Sequence, residues 1–483
     1  MDETDPLDKL RRLYVQLVAR RHPIHKLESY YDGAHPLAFA GPEFLEAFGG
    51  LFRAFADNWC GIVVNAVDER LKVEGFRVGD DPNADDTAKR LWEVNDLDTQ
   101  SGMGHTSGLT AGAFYVVVWP SDTENVPEIT VESATGTIVE CHPKIRRRRT
   151  AALRTWMDDD GYEHAELFLP DRVYCYRSKG KRSGVLTAPN RASWMIDDHP
   201  DVRDKLDESG SMVNPFAPTI PVVEFLNSPR LHVSRQVGWF AHSELSSIIP
   251  LQDATNKLVA DMLVASEFAA YPQRHLVGYE ADEDEETGAI IQPKFENGPG
   301  KVWWLEDTDA KFGQFEAANL AAYVTAVEMM VQHIASISST PPHYLRASAD
   351  RLSGESLKSA ETGLVAKVRR KMSTLGAGWE EVMRLAGTVA GSTALAGAVQ
   401  METIWRDPET RTESEHVDAV VKKQALNVPD PQLWEELGYS PEQVARFPAM
   451  RAESELSGMA AAAALRAEQA IAPPATPPNP TEV

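Results

Sequence analysis

Apolar residues recur at helical spacing through most of the chain and at strand spacing through one central block. Over residues 6–22, Leu10, Leu13, Leu17 and Val18 fall on one side of a helix. Residues 42–71 repeat the pattern with Phe44, Phe48, Leu51, Phe55, Trp59, Val63 and Val67, and Gly49-Gly50 marks an interruption. Leu91 and Trp92 predict a further helix over 88–95. The period then switches. Phe114-Tyr115-Val116-Val117-Val118-Trp119 is an unbroken apolar run closed by Pro120. Short strands are expected after it at 129–132, 138–141, 151–156, 164–169 and 173–177, with Asp160-Gly161 as a hairpin turn. Residues from about 113 to 226 therefore read as β-rich.

Helical spacing returns beyond Pro229. Leu251, Ala254, Leu258, Met262, Ala265 and Ala269 line one face of a helix that must stop near Tyr271-Pro272. Extended pieces follow over 274–279, then an acidic loop at 282–286 and a turn at Gly298-Pro299-Gly300 before Val302-Trp303-Trp304-Leu305. A second long helix is expected over 317–337, with Leu320, Val324, Val327, Val331 and Ile334 on one side. At 1.5 Å per residue it is about 30 Å long. A third runs over 353–396 with Leu357, Leu364, Val368, Leu375, Trp379, Val382 and Ala386 in register, and Gly376 and Gly378 predict a kink. Smaller helices are expected at 413–426, 431–437, 441–447 and 453–470, ahead of a Pro-rich tail that cannot pack a core. The class is α+β.

Composition narrows the function. At 483 residues the chain is long for one core, and 43% hydrophobic with 25% charged residues is ordinary for a globular protein. The net charge of −24 argues against coating nucleic acid, which needs clustered Lys and Arg. Cys60, Cys141 and Cys175 are scattered and odd in number, so zinc is disfavoured and a reducing compartment expected. The start is acidic, unlike a signal peptide, and no uninterrupted run of 18 apolar residues appears, so a soluble intracellular product is expected.

No motif carries an active site. Gly298-Pro299-Gly300-Lys301 lacks the Ser or Thr and the helix that a phosphate loop needs; a hairpin turn explains it better. Gly104-His105-Thr106-Ser107-Gly108 has the wrong glycine spacing for a nucleophile elbow, and a small-residue loop or helix end is expected. Asp158-Asp159-Asp160 and the acidic residues of 282–286 lack calcium-loop spacing and read as solvated turns. His333 is expected on a polar face or an interface. Arg146-Arg147-Arg148-Arg149 is the only dense basic run; set in a strand, its side chains would alternate between faces, meeting an acidic neighbouring surface or nucleic acid. Lys367, Arg369, Arg370 and Lys371 have the same ambiguity, with salt bridges between subunits as the first reading.

A set of local strings does carry information. Tyr30-Tyr31-Asp32-Gly33, Asn58-Trp59-Cys60, Val67-Asp68-Glu69-Arg70-Leu71 and Pro250-Leu251-Gln252-Asp253-Ala254 occur in order. A helix then ends at Ile334-Ala335-Ser336-Ile337-Ser338-Ser339-Thr340-Pro341-Pro342-His343-Tyr344-Leu345, and Asp418-Ala419-Val420-Val421-Lys422 and Leu433-Trp434-Glu435-Glu436-Leu437-Gly438-Tyr439 follow. With the order of helical and β-rich parts, these strings resemble the portal proteins of tailed bacteriophages, siphophage type, over nearly the whole chain.

That resemblance implies a portal fold: a helical and β wing over 1–235, stem helices over 236–270 and 317–339, and a small β-containing clip over 271–316. A tunnel loop over 340–352, a long kinked helix over 353–397, a helical crown over 398–471 and a disordered tail over 472–483 complete it. It places His343, Tyr344, Arg346 and Arg351 in a DNA-facing loop, and Leu251, Leu258, Met262, Leu320, Val324 and Val331 in stem packing. It implies a non-enzymatic ring of twelve subunits at one capsid vertex of the virion, assembled in the host cytoplasm, with no cofactor, metal or membrane. Double-stranded DNA would pass through it without sequence specificity in packaging and ejection. Its partners would be the terminase large subunit, a head-completion or adaptor protein, and the major capsid and scaffolding proteins. Two other readings stay open: a nucleic-acid-processing enzyme with a divalent-ion carboxylate site, and another capsid or tail adaptor.

Overall fold

The computed structural model describes residues 5–39, 41–42, 46, 56–79, 81, 84–145, 147–181, 193–230, 242–270, 274–277, 311–314, 319–345, 354–409, 420–439, 443–454, 456 and 459. It divides into two compact units, one comprising 1–71, 99–118 and 129–378 and the other 72–98, 119–128 and 379–483.

The first unit opens with α1, Pro6–Tyr31. The Asp5 carboxylate accepts the Leu7 N–H at 3.0 Å, and Pro6 occupies the first turn, where its missing N–H costs nothing. The helix continues through Pro23, past the expected end at His22, because Ile24 and Tyr30 beyond it are buried. Packing there outweighs the hydrogen bond that the proline removes. The stripe Leu10, Leu13, Tyr14 and Leu17 is sealed from water against Ile138, Ala151, Leu153, Ala165, Leu167, Tyr176 and Trp194. Each such side chain contributes roughly 1.5–3 kcal/mol of burial.

The strands under α1 are β4 (Thr137–Cys141), β5 (Arg149–Met157), β6 (Glu163–Phe168), β7 (Arg172–Ser178), β8 (Trp194–Ile196) and β9 (Ser211–Val213). They form an antiparallel sheet in the order β4-β5-β6-β7-β8, with β9 also pairing with β7. The hairpin between β5 and β6 turns at Gly161, whose φ of +84° suits glycine. The basic run does not lie in a strand. Arg147 and Arg148 sit in the β4–β5 turn and only Arg149 enters β5, while Arg146 lies outside the described residues.

Ahead of the sheet lie α2 (Trp59–Asp68) and α4 (Leu97–Ala111), then β2 (Ala113–Pro120) and β3 (Pro127–Ser133). β2 sits between β3 and β10, Val222–Leu226. The Gly104–Gly108 tract, expected as a loop or helix end, is inside α4. A Cβ at Gly104 or Gly108 would fall 2.7 or 2.8 Å from the Phe114 ring, so both glycines exist for close approach. That contact outweighs the helix cost of about 1 kcal/mol per glycine.

Two long helices follow, α5 (Ile249–Ala270) and α6 (Leu320–Ser338), which pack on each other. Between them, β11 (Arg274–Val277) pairs antiparallel with β12 (Lys311–Gln314). The expected acidic loop at 282–286, the turn at 298–300 and the strand at 302–305 lie outside the described residues. After the proline loop, α7 runs unbroken over Gly354–Val389. Gly378 marks a contact in this helix: an added Cβ would lie 2.5 Å from the Phe225 ring.

The second unit holds β1 (Val73–Val78), α3 (Asp86–Val94), β13 (Met401–Trp405) and α8 (Asp430–Glu436). β1 and β13 pair antiparallel, with Phe76 opposite Thr403. Fully buried Trp379 meets Trp92 edge-on at 5.0 Å, and Trp92 meets Phe76 at 5.6 Å. This aromatic chain is the unit's core.

Candidate functional site at the helix junction

Three of the strings that stand out in the sequence, around Tyr30, Asn58 and Gln252, meet at the foot of α5. Tyr30 donates its hydroxyl to Asp253 at 2.7 Å and stacks on His35 at 4.0 Å. His35 Nε2 lies 2.8 Å from the Asn256 amide, whose oxygen accepts the Asp57 N–H at 2.9 Å. Gln252 accepts the Trp59 N–H at 2.9 Å and donates to the Asp57 carbonyl. Asn58 caps α2 through the Gly61 N–H at 3.1 Å and donates to the Tyr31 carbonyl at 2.7 Å. Gly33, at φ +69°, leaves room for that side chain: a Cβ there would be 3.1 Å from Asn58 Nδ2.

Electrostatics make this hub structural. Burial and the Asp253 hydrogen bond push the Tyr30 phenol up, and burial lifts the Cys60 thiol to about 12. Burial lowers His35 and raises Asp57. The Tyr30 phenol and the Cys60 thiol are thus held neutral, and the His35 ring is disfavoured from charging. Among the described residues, no cluster of three or more His, Cys, Asp or Glu side chains could hold a metal.

The other end of α6 enters the proline loop. Ser339 takes the left-handed conformation, φ +55°, and its N–H bonds the Ala335 carbonyl, ending the helix. Ser338 Oγ donates to the Ile334 carbonyl at 2.7 Å, and Lys367 of α7 donates to the Ser338 carbonyl at 2.8 Å. A cation here meets the negative end of the helix dipole. Pro342–Tyr344 form one 3-10 turn. His343 Nε2 and an Arg70 nitrogen each lie 3.5 Å from one Glu361 oxygen, and the Arg70 guanidinium covers the Tyr344 ring at 5.5 Å.

Below this turn, Glu244 receives Lys367 at 2.5 Å and Lys371, which also donates to Asn227 at 2.5 Å. Burial alone would raise the Glu244 carboxyl, but the two ammonium groups outweigh it and hold it at about 2. Lys371 is lowered, because burial exceeds the help of a carboxylate it shares with Lys367. The expected contact between subunits is therefore corrected for these two lysines: they pair within the chain, while Arg369 and Arg370 face solvent.

His343 and Tyr344 are half-buried in this junction, whereas Arg346 and Arg351 lie outside the described residues. On the long helices Leu251, Leu258, Met262 and Leu320 are half-buried, Val331 is buried, and Val324 is 49% exposed. Glu244 and Glu361 were not singled out in the sequence, and Arg70 stood out only as part of the string Val67–Leu71. One signal was legible: Lys371 falls in the stripe of Val368, Met372 and Leu375, where a lysine needs a partner. Helix α6 is long and apolar enough, by length and composition, to cross a membrane, yet only 17% of it is buried within the chain.

The chain matches the family described as phage portal protein, SPP1 Gp6-like, over residues 20–454. It belongs to that phage portal protein family. The portal protein of Mycobacterium phage D29 is 30% identical over 398 residues, covering 78% of this chain and 75% of its own length. That of Mycobacterium phage L5 is 29% identical over 377 residues, covering 75% and 71%. Among solved structures, a chain from the virion of a native gene transfer agent particle aligns with 87% of this chain and 99% of itself, at 11% identity and a TM-score of 0.44. A chain from the neck of the native particle, computed with C12 symmetry, aligns with 84% and 96%, at 10% identity and a TM-score of 0.42. The family match spans the hub, the long helices and the proline loop.

Proposed function

We propose that this portal-family chain assembles into a ring of about twelve copies at one capsid vertex, the passage through which viral DNA is packaged and later ejected. The observation that carries the ring is α6. Val324, Met329 and Ile337 are 49%, 45% and 54% exposed on a helix apolar enough to avoid water. Apolar side chains exposed on more than one side of such a helix need a cover. Neighbouring copies fit better than lipid, because Val331, Ile334 and Ala335 are already buried within the chain and Glu328 interrupts the exposed half.

In this reading α5 and α6 are the stem, with residues 271–316 as the clip that docks the terminase large subunit and then a head-completion protein. The turn at His343 and Tyr344 roots the tunnel loop, residues to about 235 form the wing with 353–397, and 398–471 form the crown. The role is structural: the polar groups of the hub and junction are spent on hydrogen bonds and ion pairs that tie elements of the chain together. The charge of −24 per copy keeps the passage from retaining phosphates. Capsid and scaffolding proteins would recruit the ring during assembly in the host cytoplasm. Electron microscopy of the purified full chain tests this. Rings of about a dozen copies with an open axial channel are expected; a compact monomer at high concentration, or one that cuts DNA with a divalent ion, overturns the reading.

A further inference from the structure

Strand β5 joins two ordered turns of opposite charge. At one end, the β4–β5 tip is built by His142: its N–H donates to the Arg148 carbonyl at 2.8 Å, and its Nδ1 accepts the N–H groups of Lys144 and Ile145 at 3.2 and 3.1 Å. Lys144, Arg147 and Arg148 project from it exposed, beside an Ile145 that is 52% exposed. Among the described residues no carboxylate meets these three side chains, although the chain holds 72 acids against 48 cations. Arg149, by contrast, acts on Glu224.

At the other end, the β5–β6 turn is closed by the Asp158 carboxylate, which accepts the Tyr162 N–H at 2.8 Å and meets His164 at 3.0 Å. Asp159 and Asp160 are left exposed, and no described cation pairs with them. The nine residues of β5 separate the two tips by about 30 Å, several Debye lengths at physiological salt, so they cannot neutralise each other within one chain.

We propose that the β4–β5 basic tip of one copy docks against the β5–β6 acidic tip of a second copy, a head-to-tail contact that helps close the ring. This rests on the ring reading above. Charge complementarity names the occupant: a contact that repeats around a closed ring needs two different, matching patches on each copy, and one strand carries both. Both tips are held by backbone hydrogen bonds before any partner arrives, which lowers the ordering cost of contact.

The test reverses each tip in the full chain: Arg147→Glu with Arg148→Glu, Asp159→Lys with Asp160→Lys, and the two pairs combined. Native mass is followed against protein concentration and salt, with thermal unfolding as the folding control. Each single reversal should raise the concentration needed for assembly about tenfold, and the combined reversal should restore it. Wild-type rings with unaffected single reversals, or a combined variant worse than either, overturn the tip contact alone. A wild-type chain that forms no rings overturns the ring reading and the contact with it. If reversing the basic tip spares assembly but abolishes retention of duplex DNA, its partner is nucleic acid and the proposal falls.

Discussion

Helix α1 and helix α6 carry comparable apolar stripes and meet opposite fates. The stripe of α1 is covered by the chain's own sheet, down to Leu10, Leu13, Tyr14 and Leu17 with no exposed surface. The stripe of α6 is covered only near its C-terminal end, at Val331, Ile334 and Ala335. The first stripe specifies a fold. In the proposed ring the second meets a partner, because burying apolar surface left in water favours association.

The most severe way to break this contrast is Val324→Asp with Met329→Asp. Placing carboxylates on the uncovered half should abolish assembly at any practical concentration, through several kcal/mol per unpaired buried charge in each contact. The unfolding of the isolated chain should stay within about 0.5 kcal/mol of wild type, as for a surface change. Native mass and urea unfolding read the two quantities separately. Leu153→Ala is the mirror image. It should cost about 3 kcal/mol in urea unfolding by opening a cavity under α1, while the assembled mass is retained.

Glu244 sharpens the picture at the junction. Glu244→Gln leaves Lys367 and Lys371 without their carboxylate and should destabilise the chain by roughly 2 kcal/mol, discounted for partial exposure. Because its folded value of about 2 lies below its ordinary one, that stability is present above about pH 4.5 and is lost as the pH falls toward 2. The smallest effect belongs to His164, whose Nδ1 and Nε2 lie 2.6 and 3.0 Å from Asp197 and Asp158. Burial disfavours the charged ring, but the two carboxylates win and its pKa is raised. Its contribution is full below the ordinary histidine range and is lost as pH rises through the folded value. The stability slope above the ordinary histidine range should flatten in His164→Gln, measured by thermal unfolding across neutral and mildly alkaline pH.

Much of this was legible in the sequence. The apolar run of β2 and the short strand segments with turns between them located β2 to β7 within a residue or two. The stripes of α1 and α7 were visible because each has one consistently buried face, whereas those of α5 and α6 were visible although much of each is only half-buried. Strand β1 was missed because a register shift between Val73 and Gly75 breaks its alternation. Its partner β13 is remote as well: paired Arg77 and Glu402 are 325 residues apart. Helix α4 was hidden by glycines whose purpose is contact with Phe114. At the candidate site, the strings around Tyr30, Asn58 and Gln252 were visible as strings, but their convergence is a tertiary fact. Glu244 gave no local signal, since a single glutamate in a loop looks solvated until two lysines meet it.

The central claim is that other copies cover the exposed half of α6. Thiol labelling at that face tests it most directly, using Val324→Cys in a Cys141→Ser background, where the remaining Cys60 and Cys175 are buried. The account predicts rapid labelling of the separated chain and strong protection in the assembled particle. Equal labelling rates in the two states would contradict it.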